Sequence, residues 1–307
     1  CNLRCNYCMP EEGIGFSSRT ELLSIAELKS LSSTLTGLGV DKIRLTGGEP
    51  FVRKGIMDLL EHLAGLDGLR EISLTTNATL IGPHIPRLAE LGIRHVNVSM
   101  DAISPETFAR ITRRDHYHTV RENVEKLIAE GLEVRINFIV LEGQNESDIY
   151  PMMEFQRQYP IRVRFMEEMP FNGGSRDFNQ LKWNHKKILE HIQLRYPEFE
   201  KLPAPLTSTS VNYKIEGHRG SFGIIPSFSR TFCGSCNRLR VTATGDVITC
   251  LYGKPVTNLR PLLRSGLDDA FVEEAIVRAV GSRAKNGFEA QEQFGPIFGS
   301  SMTSIGG

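Results

Sequence analysis

The chain has 307 residues, 36 of them basic and 36 acidic, which is material for one large domain or one large and one small. Zero formal net charge argues against bulk attraction to nucleic acid or a membrane surface, so any anion site must be local. No apolar run approaches bilayer-spanning length, and there is no low-complexity tract or short tandem repeat.

In chain order, a cysteine-rich loop comes first, with Cys1, Cys5 and Cys8. Ser24-Ile-Ala-Glu27 is a capping box that opens a helix carrying Leu28, Leu31, Leu35 and Leu38 on one face. Strands are expected at 42–46, 71–75, 95–100, 133–141 and 161–166. Helical patterns separate them, among them Ile85, Leu88 and Leu91, then Val120, Val124, Leu127 and Ile128. Apolar strands alternating with amphipathic helices imply a parallel sheet with helical crossovers, either a barrel or an open doubly wound sheet. Because the sequence starts at a cysteine rather than a methionine, residues upstream are expected, including a strand that would bring the count to six units. A proline-rich linker at 202–206 precedes short strands at 211–215 and 221–225, which divides the chain into domains 1–205 and 206–307. Gly245-Asp246 is the expected hairpin turn that returns the chain to Cys250.

All six cysteines fall into two triads, Cys1, Cys5, Cys8 and Cys233, Cys236, Cys250. Three disulfides, two zinc sites and two iron–sulfur clusters are the competing readings. Disulfides suit short secreted domains that lack a core, which this chain does not need. Zinc needs a fourth ligand, and the nearest histidine to the second triad is His218. A four-iron cubane held by three thiolates keeps one iron open for a small molecule.

Strand ends of such folds carry the chemistry, and here they are polar or glycine-rich: Thr46-Gly47-Gly48-Glu49-Pro50, Thr75-Thr76-Asn77, Ser99-Met100-Asp101, Asn137 and Glu167-Glu168-Met169. Glycines let backbone approach a ligand, and Glu49 can accept from an ammonium group. A lone GGEP is otherwise a tight turn with a solvated glutamate. Arg238 and Arg240, alternating on an expected strand next to Cys236, would share a face and could grip a polyphosphate. Two surface arginines are the blander alternative.

The spacing CxxxCxxC with Tyr7 before the last cysteine resembles the radical S-adenosylmethionine superfamily. CNLRCNYCMPEEG, KIRLTGGEP, LTTN, NVSMDA, FCGSCNRLR with thirteen residues to Cys250, and the terminal Gly306-Gly307 together resemble the MoaA family of GTP 3′,8-cyclases, end to end. That resemblance implies an α/β fold: a partial (βα)6 TIM-like barrel, then a smaller C-terminal α+β domain holding a second cluster. It implies two [4Fe-4S] clusters on the two triads and S-adenosylmethionine at Tyr7, Gly48, Glu49, Ser99 and Met169. GTP contacts are implied at Lys42, Arg44, Thr75, Arg135, Arg164, Arg238, Leu239 and Arg240, with the Gly306-Gly307 tail reaching toward the site. Arg135 stands where the family usually has lysine, and a further family arginine would lie before Cys1. Implied partners are GTP, an electron donor, cyclic pyranopterin monophosphate synthase as recipient of the product, and a second copy in a homodimer, with no nucleic acid or membrane. The implied compartment is the cytoplasm in a bacterium and the mitochondrial matrix in a eukaryote. The alternatives are a different radical enzyme with an auxiliary cluster, a two-cluster electron carrier and a zinc-stapled interaction protein.

Overall fold

Period-two alternation builds the sheet. In Lys42-Ile-Arg-Leu, Glu71-Ile-Ser-Leu-Thr, His95-Val-Asn-Val-Ser and Arg162-Val-Arg-Phe, branched and aromatic residues occupy every second position and suit a pleated surface packed on one side. The computed structural model describes residues 1–9, 14–15, 17–169, 181–266 and 268–294. Its main sheet contains β1 (Lys42–Leu45), β2 (Glu71–Thr76), β3 (His95–Ser99), β4 (Glu133–Val140) and β5 (Arg162–Glu167), all parallel in sequence order. The helices α1 (Ile25–Gly37), α2 (Ile56–Ala64), α3 (Ile85–Glu90), α4 (Pro105–Thr112), α5 (Tyr117–Ala129) and α6 (Ile149–Gln158) fill the crossovers. The α1 capping box forms as expected. Leu38 lies past the helix end and stays exposed.

The sheet continues past residue 205. After α7 (His185–Arg195) come β6 (Glu200–Lys201), β7 (Val211–Lys214) and β8 (Ser221–Ile225), and β8 pairs parallel to β5, while β7 and β6 add on antiparallel. β8 thus lies parallel beside β5 as a further strand of the same sheet. A small antiparallel sheet follows, made of β9 (Arg240–Val241), β10 (Asp246–Ile248) and β11 (Thr257–Asn258). Gly245 turns its hairpin at φ +90°, a conformation that favours glycine. Helices α8 (Arg260–Arg264), α9 (Asp269–Gly281) and α10 (Gly287–Phe294) complete the described chain. Arg238 falls outside β9, because only Arg240 and Val241 meet partners on β10. The two arginines therefore do not share one strand.

The helix-facing positions form the main core, with Leu74, Val96, Val98, Ile136, Phe138, Val163 and Phe165 all fully buried. Each such side chain stabilises the fold by about 1.5–3 kcal/mol. A second core joins Leu23 and Leu31 at α1 to Val247, Leu259, Val272 and Ile276, and an Arg264–Glu27 contact at 2.6 Å closes its edge. The N-terminal helix and the C-terminal part thus share one apolar cluster, which fixes the second cysteine triad relative to the barrel.

Candidate functional site

Both triads stand at the carboxyl ends of the parallel strands. The first loop is tied to α4 by Arg4 N to Thr112 O at 3.0 Å and Asn6 N to Ile111 O at 2.9 Å, and it closes on itself through Cys8 N to Cys5 O. The loop after β1 lies hard against it: a Cβ on Gly48 would sit 2.7 Å from Cys1 Cβ, so only glycine fits. Tyr7 donates its hydroxyl to Asp101 at 2.6 Å, and the other Asp101 oxygen accepts from Ile139 N at 2.7 Å. Burial pushes the Cys5 thiol up to about 12, with Asp101 and Cys8 adding to the push.

The second triad follows β8. Arg230 lies under it with its guanidinium 3.7 Å from the Tyr252 ring and 4.5 Å from the Phe288 ring, and it donates to Gly287 O and Gln291 Oε1. That clamp joins α10 to the cysteine loop. Burial raises the Cys250 thiol, and Cys233 and Cys236 raise it further. For Cys236 burial acts upward but is outweighed by the Arg238 amide and the Arg238 and Arg283 guanidiniums, so its thiol is lowered.

All six cysteines are free thiols, so the structure does not support the disulfide reading. Nor does it supply His218 to zinc. That residue precedes β8 at the opposite end of the barrel and bonds Gln156 Nε2 at 2.6 Å. Among the described residues no three Cys, His, Asp or Glu side chains converge as ligands of a single metal ion. In a cubane each thiolate binds a different iron, so the three stand apart. Each triad fits that demand: its half-buried thiols act on one another electrostatically, and among the described residues no fourth Cys, His, Asp or Glu joins them as a ligand.

Below this rim the inner face of the barrel is polar, whereas packed barrels fill it with Val, Ile and Leu. Register places Arg44 beside Ser73, Asn97 beside Arg135, Arg135 beside Arg162, and Asn137 beside Arg164. Neutral groups orient these cations. Arg44 Nε donates to Ser73 Oγ at 3.2 Å, Arg162 Nε to Ser221 Oγ at 3.1 Å, and Arg164 Nη2 to Asn97 Oδ1 and Asn137 Oδ1 at 2.6 and 2.5 Å. Burial and then Arg44, Arg135, Arg162 and Arg238 bring the pKa of Arg164 down to about 9. Burial and then Arg238 and Arg135 lower Arg44, and burial and then Arg238 lower Arg240. Buried cations that repel one another await an anion.

The residues expected from sequence separate by location. Arg44, Thr75, Arg135 and Arg164 share the inner face, and the charges of Arg238 and Arg240 act together beside the second triad. Lys42 lies at the start of β1 and pairs with Glu71 at 2.6 Å. Leu239 packs into the second core. Glu49 is buried with both oxygens engaged, by Phe51 N, Thr76 Oγ1 and Asn77 N. Ser99 ends β3 at the rim, and Met169 Sδ lies 3.3 Å from the Tyr252 hydroxyl. Gly306 and Gly307 lie outside the described residues. Sequence reasoning missed Arg162, Asn97, Arg230 and Arg283. The first two were signalled by polar alternation in strands that, if buried on both faces, would read as continuous apolar runs. The other two had no local signal.

Residues 1–155 match the family model of the radical SAM superfamily, and residues 161–289 match that of Molybdenum Cofactor Synthesis C. "GTP 3′,8-cyclase" of Chlorobaculum tepidum is 35% identical over 100% of this chain and 91% of its own length. The chain belongs to the radical SAM superfamily and to its GTP 3′,8-cyclase family. An iron–sulfur cluster and S-adenosylmethionine are the superfamily's cofactors. Mouse "Molybdenum cofactor biosynthesis protein 1" is 41% identical over 92% of this chain, but the chain spans only 44% of that protein. The Arabidopsis thaliana "GTP 3′,8-cyclase, mitochondrial" is 39% identical over 91% of this chain and 72% of its own length. The fold is shared with the crystal structure of Streptococcus suis SuiB bound to precursor peptide SuiA, at TM-score 0.63 and 14% identity over 92% of this chain and 64% of that one. It is shared also with anSMEcpe with bound AdoMet and a peptide, at TM-score 0.60 and 16% identity over 96% and 80%. No described helix is long and apolar enough to cross a membrane.

Proposed function

We propose that this chain is a radical S-adenosylmethionine GTP 3′,8-cyclase that converts GTP to 3′,8-cyclo-7,8-dihydro-GTP, the first step of molybdenum cofactor biosynthesis. The observation that carries the reading is the inner face of mutually repelling arginines, oriented by serine and asparagine, directly beneath two cysteine triads. Relatives named as GTP 3′,8-cyclases support it.

Cys1, Cys5 and Cys8 would hold one [4Fe-4S] cluster and Cys233, Cys236 and Cys250 the other. When bound, the first cluster with S-adenosylmethionine supplies a 5′-deoxyadenosyl radical. The chain's own contribution is positioning, which raises effective concentration and excludes water. Gly48, Tyr7 and Ser99 would face S-adenosylmethionine at the rim, with Glu49 and Met169 beside them. Asp101 positions Tyr7. Arg44, Thr75, Arg135 and Arg164 would take the phosphates, and Arg238 and Arg240 the part of GTP nearest the second triad, where an open iron would face the guanine. In the net reaction the ribose C3′ hydrogen passes to 5′-deoxyadenosine, a C3′–C8 bond forms as the C8–N7 double bond becomes single, and N7 takes up one electron and one proton. An external one-electron donor and a synthase that consumes the product are further expected partners, as is a second copy of the chain.

The test is product analysis after anaerobic cluster reconstitution with reductant, S-adenosylmethionine and GTP. 5′-Deoxyadenosine formed only with GTP present, together with a cyclised nucleotide, is the expected result. Cleavage indifferent to GTP would reassign the substrate. Two intact clusters without any cleavage would point to electron transfer.

A further inference from the structure

Two cavities open at the amino ends of the strands, and they differ in charge. One, of about 390 Å³ below β1–β3, sets Lys42, Arg70 and Arg94 against Asp41 and Glu71. The other, of about 250 Å³ below β4, β5 and β8, gathers Arg135, Arg162, Lys214 and Arg219 with Glu133 as the one acidic side chain in its described lining. Lys214 Nζ is held by the carbonyls of His218, Arg219 and Gly220 at 2.5, 3.2 and 2.7 Å rather than by a carboxylate. The 218–220 turn is pressed against β5, since a Cβ on Gly220 would lie 2.2 Å from Ile161 O.

Arg162 links this cavity to the nucleotide site. It lies directly across the ladder from Arg135 and two residues before Arg164 on the same face, which is roughly 7 Å deeper along the strand. Its Nε is fixed by Ser221 on the far side, while Arg135 reaches the other way, toward His95 and Glu133. The two guanidiniums are thus spread across the floor. On the GTP reading the reacting end sits at the cysteine rim, so the nucleotide's phosphates would run downward past Arg44 and Arg164, and only the last phosphate would reach the floor.

We propose that Arg162, opposite Arg135, binds the terminal phosphate of the substrate and makes the site prefer a nucleoside triphosphate over the diphosphate. The inference rests on the GTP reading above and adds to it a residue that sets specificity. Guanidinium forks match phosphate oxygens bidentately, and the diphosphate leaves the floor cations unneutralised.

Equilibrium binding of GTP and GDP to the anaerobically reconstituted protein tests it, with Arg162→Gln and Arg162→Lys compared to wild type. The glutamine variant is expected to bind GTP on the order of tenfold more weakly and GDP unchanged, while lysine restores part of the difference. Equal weakening of both nucleotides, or no weakening of GTP, overturns the proposal. If the glutamine variant does not fold, the lysine variant decides alone, through a smaller loss confined to GTP. Wild-type protein that binds neither nucleotide defeats the GTP reading itself, whereas wild-type binding with an unaltered GTP:GDP ratio in the variants defeats only the role of Arg162.

Discussion

Replacing Arg164 with glutamine should stabilise the ligand-free protein while weakening its hold on GTP. The residue is 9% exposed, and its Nε has no hydrogen-bond partner. Burial and four neighbouring guanidiniums bring its pKa down to about 9, so carrying the charge in the fold at neutral pH costs on the order of 4 kcal/mol. Glutamine removes the charge and keeps a donor for one asparagine. The lost hydrogen bond and packing cost about 1–2 kcal/mol, which leaves a net gain of roughly 2 kcal/mol. A lowered pKa on a base fixes the sign of the pH dependence: the destabilisation is complete below the folded value and fades above it. The advantage of the variant in denaturant midpoint should therefore be full at pH 7 and shrink as pH rises beyond about 9. GTP narrows the difference, because saturation at a hundred times Kd adds about 2.7 kcal/mol to wild type and less to the variant. Ligand-free Arg164→Gln that is less stable than wild type at pH 7, or that gains as much from GTP, would refute the reasoning.

Gly48→Ala should drop the iron bound per chain, because its Cβ meets Cys1 at 2.7 Å; full iron content after reconstitution would show that the loop has room. Glu167→Gln should cost about 3 kcal/mol, since this buried carboxylate accepts from the amides of His185, Phe228 and Ser229 and from the Ser229 hydroxyl. An unshifted urea midpoint would count against that network. Cys1→Ala should abolish 5′-deoxyadenosine formation, whereas Cys250→Ala should keep cleavage and lose the cyclised product. Equal loss of both in Cys250→Ala would make the second triad structural.

Local pattern carried much of the fold. The five strand segments before residue 170 were readable because alternation and helix caps act over a few residues, and α1 begins at its capping box as the sequence implied. Segment 221–225 was also readable as a strand, but its partner was not. β8 joins β5 across the intervening α7, and parallel pairing is decided by which surfaces bury together rather than by neighbouring residues.

The site divides in the same way. Motif spacing alone marked both cysteine triads and the GGEP loop, because ligand spacing within a short loop is a property of the chain itself. Whether a cation is an exposed surface charge or part of a buried field depends on what stands across the ladder. Lys42 and Arg44 are two residues apart in one strand, yet one pairs with Glu71 and the other is oriented by Ser73 among further arginines. Arg162 acquires its place only from Arg135 and Ser221, and Arg283 only from the fold of the C-terminal part around Cys236. Sequence by itself determined the chemistry the chain carries, since thiol spacing and strand period are local. Tertiary structure decided which charges share one low-dielectric space, because Coulomb energies depend on distances that the sequence does not contain.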